Sequence, residues 1–279
     1  TEIVKEIGIA VSQFFEVRHL YSDKIQEPLG HSDNWRLNNW QARQWSLIAI
    51  SANHGDLALL QFIVKKIMLK NVRRTERINA LFMAAFQGHL EVYEFLMGKL
   101  RDKNPGTMSR LNEDGRTPLH NAAKKGHFKV CKLIIENASD KNPSSVNSDG
   151  NTPLHWAAFS GRVKICQLIM QQVSDKNPAN TSQCGEFTPF HLAAEKGQFA
   201  VCQLMLDNLS DKNPATKSDG VTPLHLAAQE GHVAICKLIM DNLKDKNPKC
   251  SSGATPLNLA TSLGKLKVCQ LFHENGIHQ

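Results

Sequence analysis

The sequence predicts an all-helical solenoid, a stack of about seven helix-turn-helix units. A motif of the form Thr-Pro-Leu-His recurs at steps of 35, 36, 34 and 33 residues, with copies starting at Thr117, Thr152, Thr188, Thr222 and Thr255. Two weaker copies lie upstream, at Asn79 and Ser46, and continue the spacing with steps of 38 and 33 residues. A fixed period of this length is typical of short units that stack against one another. The 279 residues are therefore divided among many small units rather than gathered around one core.

The motif predicts where the first helix of each unit begins and ends. In the unit that starts at Thr152, the threonine hydroxyl can cap the first turn, and Pro153 suits the first helical position. The Ala-Ala pair favours a helix, and Gly161 can adopt the left-handed conformation that ends it. Because a helix of about eight residues is unstable alone in water, each unit must be held by its neighbours.

A second helix follows the glycine and ends at a recurring tetrapeptide. In the stretch RVKICQLIM, residues 162–170, apolar side chains recur at helical spacing. Asp-Lys-Asn-Pro then occurs five times, starting at Asp102, Asp140, Asp175, Asp211 and Asp245. Because proline forces the preceding residue toward an extended conformation, each copy is predicted to close the second helix and to begin the loop to the next unit.

The first 44 residues lack the motif and are predicted to form a helical N-terminal cap, followed by the repeat domain over residues 45–279. Ile3, Ile7 and Phe14 belong to an apolar stripe at helical spacing. Charged residues interrupt this stripe, whereas a signal peptide would have an apolar block. No apolar run approaches the roughly eighteen residues of a membrane span. Because the chain starts at Thr1 without a methionine, we expect it to be a piece of a longer protein.

The repeated pattern, DG.TPLH.AA..GH, resembles the ankyrin repeat over about five-sixths of the chain. The resemblance implies a right-handed, elongated stack whose finger loops project to one side. The chain departs from the family pattern in three places. Asp-Lys-Asn-Pro stands where the family usually has a Gly-Ala-Asp-x-Asn turn, residues 184–187 add one residue to a finger, and Asn258 replaces the last motif histidine. Loss of the motif in the first two units is what capping units would show.

Twelve His and seven Cys could supply a metal site or a thiol nucleophile, but their positions favour a structural role. The resemblance implies that the motif imidazoles hydrogen-bond turns between neighbouring units, at His120, His155, His191 and His225. Five cysteines recur at one place in the second helix, where small buried apolar side chains are expected: Cys131, Cys166, Cys202, Cys236 and Cys269. Free thiols favour a reducing compartment. We therefore expect no metal, no disulfide, and a cytoplasmic or nuclear location.

No catalytic motif stands apart from the repeats. The sequence has no phosphate-binding glycine loop and no Gly-x-Ser-x-Gly elbow, so we expect neither enzymatic activity nor a cofactor. Two interpretations of the function remain open. The leading one is a monomeric protein–protein interaction module that binds a partner in its concave groove. The alternative is the regulatory or targeting domain of a larger enzyme, channel or effector protein.

Specificity for a partner is expected at positions that the scaffold leaves free. In the ankyrin family, the residues before Thr-Pro and the two residues before the helix-ending glycine line the concave groove, and we call these positions the groove face. They are Arg116, Lys124, Lys125, Asn151, Phe159, Ser160, Phe187, Glu195, Lys196, Val221, Gln229, Glu230, Ala254, Ser262 and Leu263. Phe159 and Phe187 are predicted to be exposed anchors. Trp156, where neighbouring copies have leucine, is either a further contact or a larger core residue.

Basic residues are concentrated near the start of the repeats. The net charge is +7, and residues 61–110 contain ten Lys or Arg against four acids. The densest run contains Lys65, Lys66, Lys70, Arg73, Arg74 and Arg77. Such a run indicates an acidic partner, nucleic acid or a membrane surface, or else a solvated helix face. It lacks the interleaved aromatic residues that would favour nucleic acid, so a partner protein with an acidic surface is the expectation.

The asparagine of the tetrapeptide is a candidate for modification. It is similar to the finger asparagine that an asparaginyl hydroxylase modifies in other ankyrin-repeat proteins, although the proline after it departs from the usual pattern. The candidates are Asn142, Asn177, Asn213 and Asn247.

Overall fold

The computed structural model describes residues 47–67, 74–99, 115–137, 143–180 and 186–278, which consist of helices and loops without strands. Fourteen helices lie in these ranges, in seven consecutive pairs. The pairs are α1 (Leu47–His54) and α2 (Leu57–Ile67), α3 (Arg74–Gln87) and α4 (Leu90–Lys99), α5 (Pro118–Lys125) and α6 (Phe128–Asn137), α7 (Pro153–Phe159) and α8 (Val163–Met170), α9 (Pro189–Glu195) and α10 (Phe199–Asn208), α11 (Pro223–Glu230) and α12 (Val233–Met240), and α13 (Pro256–Ser262) and α14 (Leu266–Glu274). The predicted solenoid of paired helices is confirmed, and the cap predicted for residues 1–44 lies outside the described residues.

Each unit packs mainly against the units before and after it. The first helices of successive pairs contact one another, and so do the second helices; we call the two sets inner and outer helices. The alanine pairs of the inner helices, such as Ala122–Ala123 and Ala157–Ala158, are fully buried, and their small size lets adjacent helices approach closely. One apolar core runs through all seven pairs. Short helices are thus stabilised by their neighbours, as in other stacked-repeat proteins.

The predicted starts of the inner helices are confirmed in the five motif-bearing units, and the predicted glycine C-cap is found in two of them, whereas α7 ends one residue earlier, with Ser160 as its C-cap. Threonine is the N-cap and proline the first residue of every inner helix from α5 onward. Helix α5 ends at Gly126, with φ of 93° in the left-handed region, and α11 ends at Gly231, with φ of 88°. These are conformations that side chains other than glycine rarely adopt.

The second unit differs from the prediction at its start. Helix α3 begins at Arg74, upstream of the weak motif copy at Asn79. The reason is the missing Thr-Pro pair: without a capping hydroxyl and a proline at the first position, nothing in the sequence fixes the helix start at Asn79.

The tetrapeptide Asp-Lys-Asn-Pro does not close the outer helices as predicted, because they end before it, as α8 does at Met170 rather than at Asp175. In the three copies that the structure describes in full, it lies in the loop and contacts the next inner helix. In the copy at Asp175, the carboxylate accepts a hydrogen bond from the N–H of Asn177 at 2.9 Å. Asn177 Oδ1 in turn accepts from the N–H of Phe190, in the first turn of α9, at 3.1 Å. Two further copies repeat both bonds, with Asn213 bound to Leu224 and Asn247 bound to Leu257. The asparagine therefore satisfies an N–H that the first turn of a helix leaves unpaired.

The repeated cysteines pack in the core with one exception. Cys131, Cys166, Cys202 and Cys236 are fully buried, as predicted, whereas Cys269 is only half-buried. Cys269 lies in α14, and no described helix packs on the far side of that helix.

Candidate protein-binding face

Each motif histidine ties its own inner helix to the next unit. The N–H of Thr152 donates to His155 Nδ1 at 3.0 Å, so the ring proton lies on Nε2. That Nε2–H donates to the carbonyl of Phe187 at 3.1 Å. Equivalent bonds join His120 to Asn151, His191 to Val221 and His225 to Ala254. The predicted structural role of these histidines is confirmed, and every accepting carbonyl belongs to a groove-face residue.

The same rings are neutral at pH 7. Burial lowers the pKa of His120, His155 and His191 to about 4, and it also lowers the pKa of His225. A proton on Nδ1 would face the threonine N–H that now donates to it. These imidazoles are therefore part of the scaffold rather than groups poised for proton transfer near pH 7.

A second set of hydrogen bonds runs in the opposite direction along the stack. In the second to sixth units, the side chain after the helix-ending glycine contacts a carbonyl in the preceding unit, two residues before that unit's own glycine. Gln198 Nε2 donates to Phe159 O at 3.3 Å, and Arg162 Nε donates to Lys124 O at 3.4 Å. His127 and His232 contact Phe86 O and Glu195 O in the same way, each at 3.0 Å. With Asn53 O, which His89 contacts at 3.0 Å, five carbonyls at this repeat position are fixed, and the side chains of the same residues take no part in these bonds.

The indole of Trp156 lies at the centre of a cluster of cations. The Arg116 guanidinium is 4.5 Å and the Lys124 ammonium 4.6 Å from the ring centre, and both come from the preceding unit. The Phe159 ring packs edge-on against the indole, with 6.0 Å between the ring centres. Trp156 is half-buried. It therefore packs against neighbouring side chains, as a core residue would, and its role as a contact for a partner stays a prediction.

The cluster extends into the units on either side. Lys196 in the fifth unit lies 5.1 Å from the Phe159 ring centre, and its ammonium also pairs with Glu195 at 2.6 Å. In the other direction, Lys125 lies 4.5 Å from the ring centre of Phe86 in the second unit. Phe86 was not among the predicted contact residues because its unit lacks the Thr-Pro-Leu-His motif, although Phe86 stands two residues before a glycine, as Phe159 does.

Other groove-face residues make local contacts and do not join this cluster in the described structure. Phe187 stacks on His191 of its own unit at 5.6 Å, Asn151 Oδ1 accepts from Asn180 Nδ2, and Gln229 contacts its neighbour Glu230. Val221 is half-buried next to Thr222. Phe159 and Phe187 are also half-buried rather than exposed, because each ring packs against another ring.

The remaining predicted sites are placed only in part. Lys65 is exposed in α2, while Lys70, Arg73 and the side chains of Lys66, Arg74 and Arg77 lie outside the described residues. Asn142 also lies outside the described residues. Asn177, Asn213 and Asn247 each accept a hydrogen bond through Oδ1 from the first turn of the next inner helix. Neither the basic run nor the hydroxylation is tested by this geometry.

The thiols and titratable groups form no further site in the part of the chain that is described. Burial raises the pKa of Cys131, Cys166, Cys202 and Cys236 to about 12, so these thiols stay protonated. Within the described ranges, no three His, Cys, Asp or Glu side chains come together as they would around a metal ion. None of the described helices is both long and apolar enough to cross a membrane.

Known proteins resemble the chain along the repeats. A family model described as ankyrin repeats matches residues 47–145, 100–180, 139–216 and 190–279. A curated protein from Rickettsia bellii (strain RML369-C), which carries the name of an ankyrin repeat protein, is 27% identical over 104 residues. That stretch is 37% of this chain and 15% of the length of the relative. Since the family matches together span the seven helix pairs, the chain belongs to the ankyrin-repeat family.

Proposed function

We propose that this domain is a non-catalytic module that holds a segment of a partner protein in its concave groove. Ankyrin repeats are generally protein–protein interaction modules and are typically non-catalytic. The observation that carries the proposal is a series of contacts between aromatic and basic side chains in four successive units. Lys125 contacts Phe86, Arg116 and Lys124 contact Trp156, and the adjacent Phe159 contacts Lys196. Aromatic and basic residues of this kind are enriched at the centres of protein interfaces.

Two sets of hydrogen bonds between units support this assignment: those of the motif histidines and those of the side chains that follow the helix-ending glycines. They fix the backbone carbonyls of groove-face residues from both directions, as at Phe159 and Phe187. A partner would therefore meet a surface that is already ordered, and binding would cost little conformational entropy in this protein. These bonds use only backbone oxygens, so the exposed part of the Phe159 and Phe187 rings can contact a partner.

The affinity of the natural partner for a Phe159→Ala/Phe187→Ala double variant tests the proposal. We expect the loss of about 1–3 kcal/mol per anchor that is ordinary for interface hot spots. The matched control is Phe199→Ala, because Phe199 is 46% exposed in the first turn of an outer helix, away from the cluster. If the double variant and the control bind the partner equally well, the groove assignment is wrong.

The basic run at residues 65–77 is proposed to attract an acidic partner from a distance. Charge reversal at Lys65, Lys66, Arg73 and Arg74 should slow association, and more so at low salt, because such attraction is screened by ions. An association rate that is unchanged at low salt would remove the run from the interface. We also propose a cytoplasmic or nuclear location for the repeat domain, because its free cysteines favour a reducing compartment.

A further inference from the structure

The Trp156 indole carries a polar atom that nothing in the described structure satisfies. Its Nε1 is buried and has no hydrogen-bond partner. An indole nitrogen can only donate, and leaving a buried donor unpaired is costly. Arg116 and Lys124 both lie over this ring, so two like charges share one aromatic side chain.

A second unpaired donor stands in the neighbouring helix. Asn121 is 3% exposed, and its Nδ2 has no hydrogen-bond partner. Asn121 occupies in α5 the repeat position that Trp156 occupies in α7, and these two inner helices pack directly against each other. The next two units have Leu192 and Leu226 at this position, so polar donors are not required there by the scaffold.

The chemistry of these four side chains points to one class of ligand. Both unpaired groups are donors, so the missing group is an acceptor. Arg116 and Lys124 lie over the indole, and an acceptor that carries negative charge is favoured beside these positive groups. A carboxylate has two oxygens that can accept several hydrogen bonds, and hydrogen bonds to ionised groups are the strong ones. A cationic ligand does not fit, because Arg116 and Lys124 already occupy the indole.

We propose that Arg116, Asn121, Lys124 and Trp156 form a carboxylate subsite, which receives an aspartate or glutamate side chain from the partner segment. This inference rests on the proposed function, since the carboxylate arrives as part of a protein bound in the groove. The carboxylate attracts the Arg116 and Lys124 side chains, which then move away from the indole ring. It also accepts hydrogen bonds from the indole N–H and from the Asn121 amide. The subsite deepens the proposed role of the groove by assigning the chemistry of one contact.

The charge pattern along the groove face favours one direction of the partner segment along the stack. The two residues before the helix-ending glycine are Lys124–Lys125, Phe159–Ser160, Glu195–Lys196, Gln229–Glu230 and Ser262–Leu263 in successive units. The residue before Thr-Pro is Arg116 in the third unit but Val221 and Ala254 in the sixth and seventh. The acidic residues of the partner therefore face α5 and α7, and its neutral or apolar part faces α11 and α13.

The indole N–H resonance of Trp156 provides a direct test. The chain has four tryptophans, so Trp156→Phe identifies the resonance by its disappearance from a nitrogen-15 spectrum. The probe is a blocked tetraglutamate peptide, compared with blocked tetraglutamine at constant ionic strength. We expect a saturable downfield shift of the Trp156 resonance with tetraglutamate and none with tetraglutamine. No shift, or the same shift with both peptides, would overturn the subsite.

Variants separate this subsite from general charge attraction. Arg116→Gln and Lys124→Gln should each weaken tetraglutamate binding about tenfold, the size of one lost charge-assisted bond. Lys237→Gln removes one exposed charge from outer helix α12 and should change binding less than about twofold, as expected for a distant charge. Equal effects of Lys124→Gln and Lys237→Gln would refute the subsite.

A further variant separates a binding role from a structural one. Asn121→Leu introduces the residue that the fifth and sixth units carry at this position, Leu192 and Leu226, and removes a buried unpaired donor. We expect it to weaken tetraglutamate binding without lowering the midpoint of thermal unfolding, as happens where a function is retained at a cost in stability. Unchanged peptide binding, or tighter binding of a matched phosphoserine peptide than of tetraglutamate, would overturn the carboxylate assignment.

The subsite and the groove function can fail separately. If the natural partner binds less tightly to the Phe159→Ala/Phe187→Ala variant but equally well with its own acidic residues changed to amides, the groove function stands and the subsite is wrong. If tetraglutamate shifts the indole resonance but the natural partner binds the Phe159→Ala/Phe187→Ala variant as tightly as the parent, the subsite is an anion site and its assignment to a partner in the groove is wrong.

Discussion

Mild acid should destabilise this protein through its motif histidines. His120, His155 and His191 have a pKa of about 4 in the fold against an ordinary value of 6.5, because burial disfavours the charged ring. The unfolded chain therefore binds protons more strongly than the folded one between these two values. The stability that the neutral rings support is fully present above pH 6.5 and is lost as the pH falls toward 4.

The magnitude follows from the two pKa values. At pH 5, one such ring lowers the free energy of unfolding by about 2 kcal/mol relative to pH 8. Three independent rings give about 6 kcal/mol, which is comparable to the whole stability of many domains, about 5–15 kcal/mol. Burial is the largest cause of the low pKa of His155, and the neighbouring His191 makes a smaller contribution in the same direction.

A single substitution isolates one ring. In the last unit, Asn258 already accepts from the N–H of Thr255 at 3.1 Å and completes the capping box without a titrating group. We therefore expect His155→Asn to fold and to reduce the stability difference between pH 8 and pH 5 by about 2 kcal/mol. Urea unfolding followed by circular dichroism measures this difference. Native-state hydrogen exchange of the amides of α7 checks it locally, because stacked repeats can unfold unit by unit.

The control acts at the same repeat position. Asn258→Ala removes a capping interaction without removing a titrating group, so it should lower stability by about 1 kcal/mol at both pH values. A pH dependence of His155→Asn equal to that of the parent would refute the reasoning. A parent whose stability rises between pH 7 and pH 5 would refute it as well.

Three further predictions follow from the loops and the core. Gly161→Ala should lower the free energy of unfolding by about 2 kcal/mol and Gly264→Ala by about 1 kcal/mol, as thermal unfolding can measure. Both glycines have a positive φ, but a Cβ at Gly161 would also meet the Gln198 side chain of the next unit, whereas a Cβ at Gly264 would meet nothing. Cys250, whose pKa is lowered by a hydrogen bond with Ser252, should react with a thiol reagent long before buried Cys166 does, as mass spectrometry can show. Mass spectrometry of the peptide containing Asn213 after treatment with an asparaginyl hydroxylase should show one added oxygen, and an unmodified peptide would count against the modification.

Most of the fold could be predicted because its signals are local and repeated. A threonine cap, a proline at the first position and a glycine stop are each properties of a few adjacent residues, and five copies in register remove the ambiguity of any single one. Where the signals are missing, the prediction loses precision: α3 begins at Arg74 rather than at Asn79. The capping role of Asn177 was missed because its partner is the N–H of Phe190, in the following unit.

The candidate site could be predicted only as a set of positions. The family pattern indicates which residues line the groove, but it does not say that Arg116 and Lys124 converge on Trp156 from the preceding unit. Such contacts depend on how long side chains cross from one helix to the next. The unpaired nitrogens of Asn121 and Trp156 are likewise invisible in a sequence, because a donor is known to lack a partner only once its surroundings are known.

The hydrogen bonds of the scaffold explain how such a surface can vary without loss of the fold. Gln198 holds Phe159 through its backbone oxygen, and Arg162 holds Lys124 in the same way. Any residue could replace Phe159 or Lys124 without loss of these bonds, because every residue has the same backbone carbonyl. Substitution of Phe159 should therefore change the affinity for a partner more than it changes the stability of the fold. Substitution of Gln198 should remove a hydrogen bond between two units and lower both the affinity and the stability.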